Sequence, residues 1–263
     1  MTLFGIEAFP SLSPLLIGTL IFIYFGSAFV RGLLGFGAGA PTLLFSAFIL
    51  PPHEAVILSV FISTFAMLTL MPAGLRYGKI RIASPIMIGF AAASILGVWA
   101  FANLRADWLT LVLGILLILA TLGDLTDVMT RVTKNLDITK PSVPLGLGFV
   151  SGFLGSIGGA GIGYFLSVYI RWATDKPEIF RATNILVSTF TNVWRVFWFA
   201  VFGLLAWHYA VALVFFAPAV LAGNFIGAKA AGRLSPQRYF RVFQFVLLIG
   251  AIILSVKGIR GLI

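Results

Sequence analysis

The stretch GLLGFGAG at residues 32–39 follows directly on an apolar run, residues 12–30, and a second stretch, GFLGSIGGAG, occupies residues 152–161. Gly32 and Gly35 match Gly152 and Gly155 at an offset of 120 residues. Apolar segments interrupted by glycine at corresponding places in two halves are typical of membrane transporters built from internal repeats. The two stretches therefore predict a chain made of two related halves.

The composition excludes several classes of protein. Of the 263 residues, 60% are hydrophobic and 10% are charged, whereas a soluble domain carries about 25% charged residues. Such a chain cannot cover a water-facing surface. We therefore exclude a soluble enzyme, a disordered protein and a nucleic-acid-binding protein, despite the net charge of +10. The absence of cysteine excludes disulfides, thiolate metal sites and cysteine nucleophiles.

Apolar segments recur along the whole chain, and a helix that crosses a membrane needs about 20 such residues. The segments are predicted at residues 12–34, 40–50, 55–75, 83–103, 108–125, 143–155, 161–173, 178–203, 207–230 and 237–257. The fold class is therefore all-α, a polytopic membrane protein of about ten helical segments in which membrane lipid is a partner.

The polar stretch 126–142 is the longest interruption and predicts a cytoplasmic linker within one integrated membrane domain. It separates a first transmembrane repeat, residues 1–125, from a second, residues 143–263. Ser63-Thr64-Phe65 also matches Ser188-Thr189-Phe190 at an offset of 125. Because five segments is an odd number, the second half is expected to lie upside down relative to the first, as an inverted repeat.

The basic residues predict the orientation, because Lys and Arg favour cytoplasmic loops. If ten segments cross, thirteen of the 18 basic residues lie on one side, and Arg105, Lys257 and Arg260 lie on the other. We therefore expect both termini to be periplasmic or extracellular. The first segment is expected to be a retained helix, since residues 1–14 hold no Lys or Arg and a signal peptide begins with a basic region.

The segments flanking the glycine stretches are too short to cross alone, since they have about 11 to 13 residues. We expect helical hairpins that turn inside the membrane. A helix that starts there presents free N–H groups and a partial positive charge, which attract anions. The alternative is close helix packing by small residues. The candidate binding glycines are Gly37, Gly39, Gly158, Gly159 and Gly161.

Segment 178–203 carries one polar face. Its candidate anion ligands are Asn184, Ser188, Thr191, Asn192 and Arg195, with Trp194 beside them. Helical spacing places the five polar residues on one side of the helix. A charge in hydrocarbon costs at least ~3 kcal/mol, so an arginine this deep normally faces a cavity or a partner. The alternative is a snorkelling or structurally paired arginine.

The first half offers a partial counterpart of this face. Ser59 and Ser63 match Asn184 and Ser188 at the offset of 125, but Leu70 stands where the second half has Arg195. Any anion site is therefore expected to be asymmetric. Arg31 precedes the first glycine stretch, where it either caps helix carbonyls or reaches the lipid head groups, or draws anions toward the hairpin.

The acidic residues and histidines favour an uncoupled anion carrier. All eight acids lie in loops or near segment ends: Glu7, Glu54, Asp107, Asp124, Asp127, Asp137, Asp175 and Glu178. Proton-coupled carriers commonly use a carboxylate or a histidine deep in the membrane. With two histidines and no cysteine, no metal site and no cofactor are expected.

The chain resembles the sulfite exporter TauE/SafE family of bacterial membrane transporters. The motifs that carry the resemblance are GxxGFGxG at 32–39, PPHEA at 51–55, GxxG followed by GGxG at 152–161, and RATN at 181–184. The resemblance implies two inverted repeats, a location in the inner membrane, and export of sulfite or a small organosulfonate. A small anion held between the halves would cross by alternating access, with one repeat rocking against the other.

Other functions stay open at this point. The chain could carry another oxyanion or a carboxylate, or form an anion channel. An intramembrane serine protease would use Ser156, placed in a glycine-rich turn, as its nucleophile; this would make the chain an enzyme, which we do not expect. The sequence leaves the oligomeric state open.

Overall fold

The structure is a computed structural model that describes residues 2–3, 6–7, 9, 12–34, 39–126, 140, 142–158, 163–230 and 236–263. Within these residues the chain forms eleven helices and one antiparallel pair of two-residue strands, β1 (Thr2–Leu3) and β2 (Ile6–Glu7). The helices are α1 (Pro14–Leu34), α2 (Gly39–Ile49), α3 (Pro52–Leu68), α4 (Met71–Tyr77), α5 (Ile80–Asn103), α6 (Ala106–Leu125), α7 (Ser142–Gly158), α8 (Gly163–Trp172), α9 (Pro177–Val201), α10 (Trp207–Ala230) and α11 (Pro236–Leu262).

Five of the described helices are long and apolar enough to cross a membrane: α1, α5, α6, α10 and α11. The α3–α4 pair passes the same test as one unit and is bent by 57°. In hydrocarbon every backbone N–H and C=O has to be bonded within the protein, and a helix meets this requirement by itself. The prediction of an all-α, multi-pass membrane protein is confirmed. Most of the predicted linker, residues 127–139 and 141, lies outside the described residues.

The predicted segment 55–75 is not one helix but two, α3 and α4, which meet at Thr69 and Leu70. Pro72 lies in the first turn of α4. Proline has no N–H to donate to the carbonyl four residues earlier, so the hydrogen-bond ladder of α3 cannot continue through it. The second half has Phe197 at the matching position, and α9 runs unbroken over 25 residues.

The helices of the second half repeat the lengths, starting points and packing partners of those in the first. Helices α5 and α10 are each 24 residues long, and α3 and α9 begin at prolines 125 residues apart, Pro52 and Pro177. The first helix of each half packs on the other half: α1 on α10, and α7 on α5. Helix α6 packs on α11. Exchanging the halves maps these contacts onto each other, as a two-fold repeat requires. The inverted orientation in the membrane stays a prediction.

Glycine brings the paired helices into backbone contact. A Cβ on Gly32 of α1 would clash with the carbonyl oxygen of Asn224 on α10. A Cβ on Gly152 of α7 would lie 2.5 Å from the carbonyl oxygen of Phe90 on α5. Since neither backbone leaves room for a side chain, the first glycine of each repeated stretch serves helix packing. Gly114 and Gly258 make similar approaches between α6 and α11.

We predict that Gly152→Leu separates α5 from α7 and lowers the thermal unfolding temperature of the purified protein by several degrees. Overpacking typically costs about 1–3 kcal/mol, and here the obstacle is backbone. Gly146→Leu is the matched control, because Gly146 is exposed on the same helix and has nothing within 4 Å of an added Cβ. Equal unfolding temperatures for the two variants would contradict the packing role of Gly152.

Candidate functional site

The two ends of the helix bundle are marked by different residues. At one, the His53 end, the ring of Phe101 lies 5.0 Å from that of His53 and 5.3 Å from that of Phe199. At the other, the basic end, the backbone N–H of Lys79 donates to the Thr183 hydroxyl at 3.0 Å and joins the α4–α5 turn to the first turns of α9. The helix ends and turns here carry the exposed basic residues Arg76, Lys79, Arg81, Arg171, Lys176 and Arg181.

Helix α9 carries the predicted polar face into the interior of the protein. It packs against α3, α4, α5 and α8. Asn184, Thr191 and Arg195 are each 6% exposed, while Ser188 and Asn192 are half-buried. The polar side of α9 is therefore shielded by neighbouring helices, which explains how a membrane protein accommodates it.

The Arg195 guanidinium lies deep in the bundle. Its central carbon is 5.9 Å from the centre of the Phe90 ring on α5. Phe90 precedes Phe101 by eleven residues, which is about 16 Å along a helix at 1.5 Å per residue. Because α5 is about 36 Å long by the same measure, the guanidinium reaches roughly the middle of the bundle.

Trp194 fixes α9 to α5 beside this arginine. Its indole Nε1 donates to the carbonyl oxygen of Ala91 at 3.3 Å. Its ring stacks with those of Phe190 and Phe197, at centroid distances of 6.0 and 5.6 Å. With its N–H bonded and its ring stacked, Trp194 positions Arg195 against Phe90.

Arg31 is buried as well, at 6% exposure, and its Nη2 donates to Ser63 Oγ at 3.1 Å. The structure thus joins two predicted site residues inside the protein. Ser63 lies eleven residues after Pro52, about 16 Å from the start of α3 at the His53 end. The two guanidinium groups therefore reach a similar depth.

Two short helices start near the middle of the bundle and run to its opposite ends. Helix α2 has 11 residues, about 16 Å, and leads into the start of α3 at the His53 end. Helix α8 has 10 residues, about 15 Å, and leads into the start of α9 at the basic end. Both N-termini therefore point their partial positive charge toward the middle of the bundle.

The structure adds a residue that sequence reasoning missed. Ser167 of α8 is buried and donates its hydroxyl to Asn184 Oδ1 on α9 at 3.0 Å. The signal was present in the repeat, since Ser167 stands 125 residues after Thr42, and both are small buried hydroxyl residues. Asn184 therefore links α8 to α9.

Three predicted ligands use their donors within their own helices. Ser59 Oγ donates to the Val56 carbonyl at 2.9 Å. Thr191 Oγ1 and Asn192 Nδ2 both donate to the Ser188 carbonyl, at 3.1 and 2.9 Å. An anion needs donors, so each of these groups would have to exchange a helix carbonyl for the substrate.

The structure places the predicted binding glycines in different surroundings. Gly39 is the first residue of α2, so a helix does start at this glycine. Gly158 is the last residue of α7, and a Cβ there would lie 2.7 Å from a methyl carbon of Leu116, so it packs against α6. Gly37, Gly159 and Gly161 lie outside the described residues.

Ser156 is not in a turn, as the protease alternative assumed, but in the last turns of α7 with 0% exposure. Such a hydroxyl is closed to a peptide substrate. His53 Nε2 lies 3.1 Å from the Phe101 carbonyl oxygen at the His53 end. In the described part of the chain no three His, Asp or Glu residues gather where they could hold a metal.

We predict that Arg31 and Ser63 are energetically coupled. A double-mutant cycle with Arg31→Met and Ser63→Ala should give about 1.5–3 kcal/mol in the free energy of unfolding, the usual range for a hydrogen bond to a charged group. Ser59→Ala is the control on α3, because Ser59 bonds its own helix, and its effect should add to that of Arg31→Met within about 0.5 kcal/mol. A similar additivity for Ser63→Ala would refute the coupling.

Comparison with known proteins identifies the family. Searches of the curated proteins and of the solved structures found no match. The sequence profile of the family described as sulfite exporter TauE/SafE matches residues 19–254, which is most of the chain and includes both glycine stretches, the buried arginines and α9. The chain is therefore a multi-pass membrane protein that belongs to the sulfite exporter TauE/SafE family.

Proposed function

We propose that this protein exports a small oxyanion, sulfite or a C2 organosulfonate, from the cytoplasm through a site at the middle of the bundle. The observation that carries the proposal is the shared depth of the Arg31 and Arg195 guanidinium groups, which two different halves of the chain supply. The starts of α2 and α8 also lie near the middle of the bundle and add partial positive charge.

The chemistry of such a site suits a compact oxyanion. A guanidinium offers paired N–H donors that match two oxygens of a sulfite or sulfonate group. Helix N-termini add backbone N–H donors without further full charges. The substrate would therefore be held by a few directional donors and still be released, as a carrier requires.

The path through the membrane would be asymmetric. Arg31 leans toward the start of α1 and Arg195 toward the start of α9, because helical side chains tilt toward the helix N-terminus. Helix α1 runs parallel to α10, as the contacts of Tyr24 with Phe216 and of Gly32 with Asn224 require, so it starts at the His53 end, whereas α9 starts at the basic end. A substrate would therefore meet Arg31 from one direction and Arg195 from the other as the site opens alternately to each side.

The proposed orientation places the basic end in the cytoplasm of the inner membrane and both termini outside. The exposed Lys and Arg residues of the basic end would then satisfy the positive-inside rule. They would also contact anionic lipid of the cytoplasmic leaflet. In the described helices the acids Glu54, Asp107 and Glu178 lie in first turns rather than at the depth of the arginines. An anion gains about 2.3 kcal/mol per charge on leaving a cell at 100 mV, negative inside, so export needs no coupling ion.

We predict that Arg195→Ala weakens binding of sulfite or sulfonate at least tenfold, since it removes a charge-assisted interaction of about 1.5–3 kcal/mol. Arg195→Lys should lose less, because it keeps the charge but not the paired donors. Arg181→Ala is the matched control on the same helix, where the arginine is exposed. Binding by the purified, folded proteins is to be measured with a panel of sulfite, sulfate, taurine, isethionate, sulfoacetate and carboxylates. Equal affinities of the Arg195→Ala and Arg181→Ala variants would remove Arg195 from the site.

We also predict that liposomes containing the protein move sulfite or a sulfonate in response to membrane potential alone. A 100 mV potential should sustain about 50-fold accumulation per charge at equal pH on both sides. The measurement is substrate flux with a potassium diffusion potential, compared with flux driven by a proton gradient at zero potential. Flux that requires the proton gradient and ignores the potential would contradict uncoupled export.

A further inference from the structure

Three aromatic side chains meet at the His53 end, and each comes from a different helix. His53 lies at the start of α3, Phe101 near the end of α5 and Phe199 near the end of α9. The Phe101 ring is 5.0 Å from the His53 ring and 5.3 Å from the Phe199 ring, and both phenylalanines are 0% exposed. These three residues, the ring cluster, therefore close the space between the three helices at this end.

The ring cluster lies directly beyond Arg195. Phe199 follows Arg195 by four residues, so the two side chains share one face of α9. The Arg195 side chain reaches Phe90 on α5, and Phe101 lies eleven residues, or three helical turns, after Phe90 on the same face of that helix. Helices α5 and α9 thus meet twice, once at the arginine and once at the rings.

Helix α3 leads from the ring cluster to the second arginine. Ser63, which accepts the hydrogen bond of Arg31, lies ten residues after His53, about 15 Å along the helix. Helix α9 packs on both α3 and α5. An anion that moves from the arginines toward the His53 end, between these three helices, would therefore have to pass the ring cluster.

Side-chain contacts hold the ring cluster together. His53 Nε2 lies 3.1 Å from the Phe101 carbonyl oxygen, which can only accept, so the imidazole N–H donates. The remaining contacts are between rings. At Gly32 and Gly152, by contrast, helix backbones touch. Side chains can change rotamer while the helix backbones stay in place, so the ring cluster can open without separating helices.

We infer that His53, Phe101 and Phe199 form a gate between the candidate site and the His53 end, and that the structure shows this gate closed. The proposed orientation places that end outside the cell, so the gate controls release of the exported anion. The inference rests on the proposed function, because a gate presupposes a solute that moves between the arginines and this end.

The alternative is that the rings only pack the core, and the chain offers a matched control for it. Phe216 of α10 is also 0% exposed, and its ring lies 4.8 Å from that of Tyr24 and 6.0 Å from that of Phe9. It belongs to the contact between α1 and α10. Removing its ring leaves a core cavity of the same kind, but away from the ring cluster.

The test uses a single cysteine as a reporter, because the chain has none of its own. Ser59→Cys places a thiol six residues after His53 on α3, about 9 Å toward the middle of the bundle, at a position that is 3% exposed. The reagent is 2-sulfonatoethyl methanethiosulfonate, a small anion with a sulfonate group. Its rate of reaction with purified protein in lipid nanodiscs reports how often the path to this thiol is open.

We expect Phe101→Ala and Phe199→Ala to speed this reaction at least about tenfold, because each removes contacts that favour the closed state. His53→Ala should speed it several-fold, and Phe216→Ala should change it less than about twofold. Thermal unfolding is to show that each variant is folded. Phe199→Leu and Phe216→Leu form a milder pair if an alanine variant does not fold.

Equal reaction rates for folded Phe199→Ala and Phe216→Ala would assign the rings to core packing and overturn the gate. Unchanged rates in every variant of the ring cluster would do the same. Failure of the proposed function has a different signature, in which folded wild-type protein binds neither sulfite nor any sulfonate while the ring-cluster variants still react faster. In that case the gate stands, and the identity of the anion is wrong.

Discussion

The direct contact of helix backbones at Gly32 and Gly152 is the constraint on which the rest of the structure depends. Between membrane helices there is little hydrophobic driving force, because lipid chains are as apolar as leucine, so close packing has to supply the attraction. These contacts join α1 to α10 and α7 to α5, which cross-links the two halves. The helices α3, α4 and α9 therefore lie between these paired helices, which can shield a polar face from lipid.

The electrostatics follow from this shelter. A guanidinium exposed to hydrocarbon would be far too costly, yet Arg31 and Arg195 are both buried against protein groups at mid-depth. Their helices approach that level from opposite ends, and two short helices point their N-termini toward it. Positive potential is thus concentrated at one level of the bundle without clustering the cations on a single helix.

Much of the fold could be predicted from the sequence, because uninterrupted apolar runs indicate membrane helices. The predicted segment 178–203 corresponds to α9 within two residues at each end. The break at Thr69 was missed although Pro72 is visible in the sequence, since a membrane helix can also tolerate proline as a kink. The exchange of α1 and α7 between the halves is a long-range contact, and no local pattern encodes it.

The candidate site could be predicted from the sequence only in part, for the same reason. Depth and helical face singled out Arg195 and Asn184, but the partner of a side chain is set by packing. The sequence offered no means of joining Arg31 to Ser63. Ser167 could have been predicted in part. The repeat offset of 125 points to it, but only once Asn184 is known to need a hydrogen-bond partner.

The exchanged helices bear on how an alternating-access cycle could work mechanically. If each half moved as a rigid block, α1 would be torn from α10 and α7 from α5, at the places where backbones touch and nothing can slide between them. The bodies that move as units would instead be composite, one containing α1 with α10 and the other α5 with α7. The boundary between them would then cut through each repeat, and the bend after Leu68, which only the first half possesses, lies where such a boundary could flex.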